Sequence, residues 1–566
     1  MAERSQRSSK VEALRLLRGA QEDVPEASSS ANDTEDSSES SGSSDIDESD
    51  NISPSDDDVS INQAIGNQVN ISSADGEQWT SLLPQEQRRG RERRENLLRP
   101  APGLTSYSLR HIRAPNTIIN SWEILFDHDM METILKETNR RGRSIKGAAW
   151  TDASMEEMLA FIGLLYLRGV YRSHMESTEE LWSKEHGRPI FKITMSHSRF
   201  KELRIMLRFD NPETRAARQL RDKLAAVRLL LDGFTNNCQK SYVPGAFLTV
   251  DEELYPFRGR CAYKQYMPSK PSRYGLKFWL LCDANNYFCY NLQMYTGKED
   301  NPSHHGLGER VVMDLTSSLE NSGRHITTDN FFTSLKLARS LRSKGMTLLG
   351  TLRKNRREVP PQMKNLQGRA VYSSDFRFNL EDQTCLLSYK CKKNDCVLLL
   401  STFHQEPVVD QQTDRKVPEM IKDYNATKGG VDKADQMVAT YTVKYISRRW
   451  HTIVFCNLLD LCGINAYVLN CEIDPHWGRD KPHKRRQFLR CLGEELVKPF
   501  LESKDVPRPI IEAKVDVERA TRKKDRCQLC GWKKDRKTRK TCARCGNHCC
   551  DEHSNSVTRT FCTNCA

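Results

Sequence analysis

The chain has 566 residues, a formal net charge of +12 and 37% hydrophobic residues. This length predicts three or four domains, and no uninterrupted apolar run approaches the 18 or so residues that a membrane-spanning helix needs. The charge is unevenly spread, because the segment from Gly19 to Gln87 has 17 acidic residues and no Lys or Arg. The rest of the chain is strongly basic, which favours a polyanion, most simply a nucleic acid, over a membrane as partner.

Residues 1–104 are predicted to form a disordered acidic, Ser-rich tail followed by a basic linker. A composition such as SSSANDTEDSSESSGSSDIDESD buries too little apolar surface to offset the entropy lost on ordering. The tail either competes with DNA for the basic surface or only keeps the chain soluble. The arginines at 88–99 suit a DNA-contacting arm, a nuclear-import signal or a solvated linker.

The first ordered segment is predicted to be helical. Residues 105–245 contain several runs with apolar side chains at helical spacing, such as DASMEEMLAFIGLLYLRGV, and these runs predict a helical domain.

The pattern changes to strands after Pro244. Three apolar runs, at 247–254, 277–283 and 287–295, precede a helix, a short strand at 325–330, a second helix and a strand at 346–353. This order predicts an RNase H-like α/β core that begins at residues 246–357. Such a sheet places the first and fourth strands side by side, so Asp251 and Asp329, each expected to close one of them, should be neighbours.

A third acid is expected on a later helix, within residues 421–440. Asp432 and Asp435 are three residues apart and share a helix face, and Gly429 and Gly430 would let the chain turn into this helix. Clustered carboxylates are the ligands that Mg²⁺ prefers, and two such ions can drive phosphodiester cleavage. Each aspartate alone also suits a strand end or a helix cap, and Asp283 ends a strand in the same way.

A basic segment with interleaved aromatic rings follows Asp251. Its cations would fix a phosphate backbone and its rings would stack on a base, although ordinary solvated loop charge would look similar. The cations are Arg258, Arg260, Lys264, Lys270 and Arg273, and the rings are Phe257, Tyr263, Tyr266 and Tyr274.

The last forty residues carry eight of the 19 cysteines. Seven of them and His553 form four ligand pairs, which predict a cross-brace module at 519–566 with two zinc ions, each held by alternate pairs. A disulfide framework is the alternative, but it suits these short loops poorly. Cys527, Cys530, Cys550 and His553 would bind one ion, and Cys542, Cys545, Cys562 and Cys565 the other. Residues 519–540 hold eleven basic and two acidic side chains, which suits phosphate tracking or nuclear import.

Several long motifs together resemble the piggyBac family of DNA transposases, from about residue 105 to the C-terminus. The motifs are LTVDEELYPFRGRC, YMPSKPSRYGLK, ITTDNFFTS, GTLRKNRREVP, YNATKGGVDKADQM and the terminal Cys pairs. The resemblance implies a DDD-type transposase that moves DNA by cut and paste, through hairpin ends, into TTAA targets. It also implies a nuclear homodimer that binds transposon-end DNA and uses Mg²⁺ or Mn²⁺.

Carried over residue by residue, the resemblance makes Asp251, Asp329 and Asp432 the catalytic metal ligands and Asp435 an additional functional acid. It also implies that Arg353 and Arg356 are DNA-binding cations and that residues 358–420 form a β-rich insertion domain. Residues 441–510 would pack back on the first helical segment, and the composite would be an all-α domain for dimerisation and DNA binding. The Cys-rich module would recognise transposon ends.

Two other readings remain. A domesticated relative would keep the fold and the zinc module and bind DNA or chromatin without transposing, although the intact acids favour the enzyme. A zinc-dependent interaction protein of the RING type has the right Cys pairing, but it leaves the acids and the basic core unexplained.

Overall fold

The computed structural model describes residues 70–83, 98–174, 176–297, 306–479 and 482–504, together with a few positions between 525 and 552. The residues before and after the 500/501 boundary belong to two separate compact units.

A large mixed sheet forms the centre of the first unit. The described strands of this unit, in chain order, are β1 (Asn70–Ser72), β2 (Gln78–Thr80), β3 (Gly103–Leu104), β4 (Tyr242–Val243), β5 (Phe247–Pro256), β6 (Lys264–Tyr266), β7 (Tyr274–Asp283), β8 (Cys289–Met294), β9 (His325–Thr328), β10 (Thr347–Thr351), β11 (Ser374–Asn379), β12 (Thr384–Lys392) and β13 (Asp395–Ser401). Strands β3 and β4 pair only with each other, and the other eleven form the sheet.

The middle of the sheet has the RNase H-like strand order that the sequence predicts. Strands β8, β7, β5, β9 and β10 lie side by side. Strand β9 runs parallel to both β5 and β10, whereas β7 is antiparallel to β5 and β8. The predicted RNase H-like fold is therefore confirmed.

The β-rich insertion extends this sheet instead of forming a separate one. Strand β13 pairs antiparallel with β10, where Leu349 lies opposite Ser401, and β12 and β11 continue outward from β13. The described strands between 358 and 420 therefore share one hydrogen-bonded layer with the core.

The outer edge of this layer is covered by part of the tail that the sequence predicts to be disordered. Strands β1 and β2 form a hairpin, Thr80 pairs with Phe378 of β11, and Trp79 is 1% exposed. The prediction of disorder over 1–104 is wrong for residues 70–83, because Trp79 supplies apolar surface that the average composition of the tail conceals. It is also wrong for residues 98–104, where Gly103 and Leu104 pair with β4. The other parts of that prediction lie outside the described residues.

The described α-helices occur in three parts of the sequence: before β4, between the strands from β8 onward, and after β13. They are α1 (Ser106–His111), α2 (Thr117–Glu123), α3 (His128–Lys146), α4 (Met155–Val170), α5 (Thr178–Leu181), α6 (Pro189–Thr194), α7 (His197–Met206), α8 (Pro212–Gln219), α9 (Arg228–Ser241), α10 (Leu307–Thr316), α11 (Leu335–Ser343), α12 (Pro361–Lys364), α13 (Glu419–Thr427), α14 (Gly430–Thr440), α15 (Trp450–Ile473) and α16 (Lys484–Ser503). Helix α4 is apolar on almost every side and is buried accordingly.

Helix α15 packs against the N-terminal helices, as the resemblance implies. The Phe455 ring lies 6.1 Å from that of Phe126 and 5.0 Å from that of Phe209. Arg449, at the start of α15, donates to the carbonyl oxygens of Arg204, Ile205 and Leu207 at the end of α7. These bonds satisfy carbonyl groups that a helix end leaves unpaired.

Helix α15 is also, among the described helices, the one long and apolar enough to cross a membrane, with a mean hydropathy of 1.6 over its best window. The expectation concerned an uninterrupted apolar run, and α15 is interrupted by Asn457, Asp460 and Asn465. That window is 94% buried inside the protein, as is usual for a core helix.

Candidate active site

Asp251 and Asp329 are neighbours because of the strand register. Val250 of β5 pairs in parallel with Thr328 of β9, and this is the last paired position. The next residue in both segments is therefore an aspartate, Asp251 after Val250 and Asp329 after Thr328. Adjacent strands lie about 4.8 Å apart. Asp251 does not close its strand, as the sequence suggested, since β5 continues to Pro256 by pairing with β7. The acids thus lie where β5 loses one of its two neighbours.

Three buried threonines dock the junction of α13 and α14 onto this edge. Thr249 Oγ1 donates to the carbonyl oxygen of Thr427 at 2.6 Å, and Thr327 Oγ1 donates to Thr427 Oγ1 at 2.8 Å. Thr249 and Thr327 lie two residues before Asp251 and Asp329. The bonds therefore fix the start of α14, which carries Asp432 and Asp435, next to both strand acids.

Gly430 allows this close approach. A Cβ there would lie 2.5 Å from Thr249 Oγ1 and 3.3 Å from the Ala284 Cα atom, whereas a Cβ at Gly429 would meet nothing within 4 Å. The sequence attributed both glycines to a tight turn, but Gly429 has an ordinary φ of −85°. Gly430 is needed for contact with β5, and Gly429 is free to change.

The strand acids are electrostatically coupled and mostly buried. Burial, together with the negative charges of Glu252, Asp329 and Asp432, raises the pKa of Asp251 to about 8. Burial also raises the pKa of Asp329, helped by Glu252, although hydrogen bonds from Phe331 and Phe332 oppose the shift. Acids that disfavour each other's ionisation in this way need a cation beside them. The donor set fits a divalent ion held by hard oxygen ligands.

Glu253 is a buried acid behind this cluster that the sequence analysis overlooked. Its Oε2 accepts from Asn457 at 2.8 Å, and its Oε1 is buried without a hydrogen-bond partner. Burial and the charge of Asp435 raise the pKa of Glu253 to about 8. Strand alternation places Glu253 on the same face as Asp251, which was a usable signal, but Asn457 comes from a distant helix that the sequence could not align with it.

Lys270 lies inside the acid cluster and not on the outer surface. Its Nζ donates to the carbonyl oxygen of Glu252 at 3.1 Å and lies 3.4 Å from Asp432 Oδ1. Burial lowers the pKa of Lys270, but the charges of Asp432, Asp435, Asp251 and Glu252 outweigh it and leave the pKa raised. Burial and the charge of Asp432 raise the pKa of Asp435, while Lys270 lowers it.

The arginines of this segment lie closer to solvent than Lys270 does. Arg258 and Arg273 are exposed and line a groove of about 640 Å³ that Lys444 and Arg448 also line. Arg260 is exposed as well, and Lys264 lies over the Tyr274 ring. Arg258, Arg273, Lys444 and Arg448 give the groove a positive lining.

The four aromatic residues of this segment fall into two groups, one exposed to solvent and one engaged within the protein. Tyr266 and Tyr274 are 53% and 46% exposed, with ring centroids 4.9 Å apart, so they can receive a stacked base. Phe257 is buried, and Tyr263 donates its hydroxyl to the carbonyl oxygen of Lys223. The suggestion that all four rings stack on DNA is therefore wrong for Phe257, because it belongs to the core.

Arg353 and Arg356 hold the loop that follows Asp329. Arg353 Nε donates to Asn330 Oδ1 at 3.0 Å, and Arg356 donates to the carbonyl oxygen of Thr333 at 3.1 Å. Arg353 is exposed and also lowers the pKa of Asp329. The structure thus places both residues at the site, with a positioning contact for each.

Three of the predicted zinc ligands come together in the terminal unit. The sulfur atoms of Cys527, Cys530 and Cys550 all lie within 4.8 Å of one another, with 3.7 Å between those of Cys530 and Cys550. A disulfide needs about 2.05 Å, whereas two sulfurs on a tetrahedral zinc ion lie about 3.8 Å apart. The ligands His553, Cys542, Cys545, Cys562 and Cys565 lie outside the described residues.

A separate Ser–His–Asp arrangement is structural. Ser401 Oγ lies 2.8 Å from His404 Nδ1, and His404 Nε2 lies 3.1 Å from Asp423 Oδ2. Ser401 and Asp423 are fully buried, so no substrate reaches the hydroxyl. The chain of contacts joins the end of β13 to α13 and thereby supports the helix junction at the acids.

The glycine pair provides a test of the docking. Gly430→Ala should destabilise the protein by about 1–3 kcal/mol, because its methyl group overpacks Thr249, and should weaken divalent-metal binding by displacing Asp432. Gly429→Ala is the matched control and should change neither property. Urea unfolding and Mn²⁺ titration measure both, and equal behaviour of the two variants would contradict the docking.

The raised pKa of Asp251 predicts a pH-dependent stability of the protein without Mg²⁺ or Mn²⁺. The folded state keeps a proton on Asp251 up to about pH 8, whereas the unfolded chain releases it near pH 4. Stability should therefore fall as the pH rises from about 4 to 8. Asp251→Asn should flatten this slope and the exposed-site control Asp129→Asn should not, as measured by urea unfolding at several pH values.

Comparisons with known proteins agree with this geometry. The profile of the family described as Transposase IS4 matches residues 119–467. PiggyBac transposable element-derived protein 3 of Homo sapiens is 26% identical over 406 residues, which cover 67% of this chain and 64% of that protein. PiggyBac transposable element-derived protein 2 of Homo sapiens is 25% identical over 380 residues, or 62% and 61% of the two chains. The chain thus spans less than two thirds of these relatives.

A solved structure shows the same similarity in three dimensions. The cryo-EM structure of a piggyBac transposase synaptic complex with hairpin DNA aligns with a TM-score of 0.66 and 28% identity, over 82% of this chain and 100% of that one. The family profile covers more than half of the sequence. With an RNase H-like sheet and a Cys cluster in the expected places, this chain belongs to the piggyBac-type transposase family.

Proposed function

We propose that this chain is a DNA transposase that cuts and rejoins phosphodiester bonds at the cluster of Asp251, Asp329 and Asp432. The observation that carries the proposal is the docking of α14 beside the last paired residues of β5 and β9. It gathers carboxylates from three distant segments of the chain, and the same unit carries a groove lined by basic residues.

The three acids would hold one or two Mg²⁺ or Mn²⁺ ions, which supply Lewis-acid activation of the attacking oxygen and stabilise the leaving one. The chain's own residues fix the geometry. Lys270 neutralises part of the acid charge, and Arg353 holds the loop after Asp329. Asp435 lies one helical turn behind Asp432 and would orient it or a metal-bound water.

DNA would bind along the groove lined by Arg258, Arg273, Lys444 and Arg448. Guanidinium and ammonium groups there can contact phosphates, and the exposed Tyr266 and Tyr274 rings can stack on an unpaired base. The finer proposal is cut-and-paste transposition through hairpin ends into TTAA targets by a nuclear homodimer. Its support is the piggyBac-type family and the similarity to a complex that contains hairpin DNA.

The second candidate is a domesticated DNA-binding protein that no longer transposes. It is favoured by the similarity to two human proteins whose names describe them as derived from transposable elements. The retained acids favour the enzyme, because a protein that only binds DNA has no use for a partly buried acid cluster that carries its own electrostatic cost.

Loss of one strand acid should separate cleavage from binding. Asp329→Asn should lower the rate of transposon-end cleavage by about a thousandfold or more, since metal catalysis contributes several kcal/mol. It should leave end binding intact, because the groove is unchanged. Asp435→Asn should impair the cleavage and strand-transfer steps less uniformly than Asp432→Asn does. Asp314→Asn, at an exposed position, is the control. Wild-type cleavage by Asp329→Asn would overturn the proposal, and binding without cleavage by the wild-type chain would favour domestication.

The terminal unit is proposed to be a two-zinc module that recognises transposon ends. Cys527→Ser in the full chain should remove at least one zinc ion and weaken end binding, since metal supplies most of the folding energy of so small a module. Cys391→Ser, a half-buried free thiol outside the cluster, is the control. Elemental analysis and DNA titration measure the two effects, and one zinc per wild-type chain would refute the cross-brace.

A further inference from the structure

Lys270 differs from the other cations that the sequence assigns to DNA. Its side chain is 16% exposed, and it reaches from the segment between β6 and β7 to the acids. The ammonium bridges the carbonyl oxygen of Glu252 and Asp432 Oδ1. Arg258, Arg260 and Arg273 of the same segment are exposed on the surface. A side chain that serves only the DNA backbone would not need this burial.

The position of the ammonium is that of a counter-ion. Asp251, Asp432 and Asp435 all interact favourably with Lys270, and these acids otherwise repel one another. Opposite charge within a few ångströms is the common way to stabilise ionised acids at a partly desolvated site. Lys270 therefore lies where the cluster requires positive charge.

The contact with Asp432 can be exchanged without opening the core. Asp432 is 64% exposed although Lys270 is mostly buried, so solvent and ions reach the carboxylate directly. Lysine is a compact charge on a flexible four-carbon stem, which lets the ammonium move by several ångströms. A divalent ion held by Asp432 would compete with this ammonium for the Asp432 carboxylate.

We infer that Lys270 is the built-in counter-ion of the acid cluster, and that it leaves Asp432 when a divalent cation binds. The inference rests on the proposed metal site at Asp251, Asp329 and Asp432. In the metal-free protein the ammonium neutralises the cluster. In the metal-bound protein it is free to contact a DNA phosphate at the same edge of the sheet, so one residue serves both states in turn.

Two consequences distinguish this role from that of a simple phosphate contact. Removal of the ammonium should tighten metal binding in the absence of DNA, because the competitor is lost. The same change should slow DNA cleavage, because the phosphate loses its contact. A lysine that only binds phosphate would slow cleavage and leave metal affinity without DNA unchanged.

The experiment is a Mn²⁺ titration of the full-length, zinc-loaded chain without DNA, followed by electron paramagnetic resonance of the free ion. Lys270→Gln should bind Mn²⁺ about tenfold more tightly than the wild type, as expected for loss of one partly screened charge at short range. Arg273→Gln is the matched control, because it removes one positive charge three residues away and should change the affinity little. Cleavage of a transposon-end duplex by each variant is measured in parallel.

Unchanged or weaker Mn²⁺ binding by Lys270→Gln would overturn the inference, as would equal tightening by Arg273→Gln. Asp251→Asn separates this failure from failure of the proposed function. If Asp251→Asn loses the Mn²⁺ ion and Lys270→Gln matches the wild type, the metal site stands and the counter-ion role is wrong. If Asp251→Asn binds Mn²⁺ as the wild type does, the acids do not form the metal site and both proposals fall.

Discussion

The docking of α14 on the strand edge is the constraint on which the site depends. Asp251 and Asp329 are neighbours by register alone, but Asp432 belongs to a helix that reaches them after the whole β-rich insertion. Buried hydrogen bonds from Thr249 and Thr327 to Thr427 set that distance. Buried bonds of this kind are costly to leave unmade, so they favour a single placement of the helix.

This placement has an electrostatic cost that the surrounding chain offsets. Acids that are gathered and partly buried raise one another's pKa values, which opposes their ionised, metal-binding forms. The Lys270 ammonium lies 3.4 Å from Asp432, and the charge of the Arg353 guanidinium lowers the pKa of Asp329. These two cations therefore offset part of the repulsion among the acids.

The sequence predicted the local elements well and the long-range contacts poorly. The periodicity of strands and helices over 246–357 was sufficient for the RNase H-like order, because the five core strands follow one another along the chain. The docked hairpin around Trp79 was missed, since its apolar residues are few and lie in an acidic context. Glu253 was missed because its hydrogen-bond partner Asn457 is about two hundred residues away in the sequence. Gly430 was assigned to a turn because its close contact with Thr249 arises only in the folded chain.

The long apolar helix α15 connects the strand that carries Asp251 to the helical part of the unit. Asp460 of α15 accepts hydrogen bonds from Tyr255, Thr442 and Val443. Tyr255 lies on β5 four residues after Asp251, and Thr442 lies just after α14. A single buried carboxylate thus ties the strand that carries the first acid to the end of the helix that carries the third. The helical part of the unit and the strand that carries Asp251 are therefore joined by buried hydrogen bonds at Asp460.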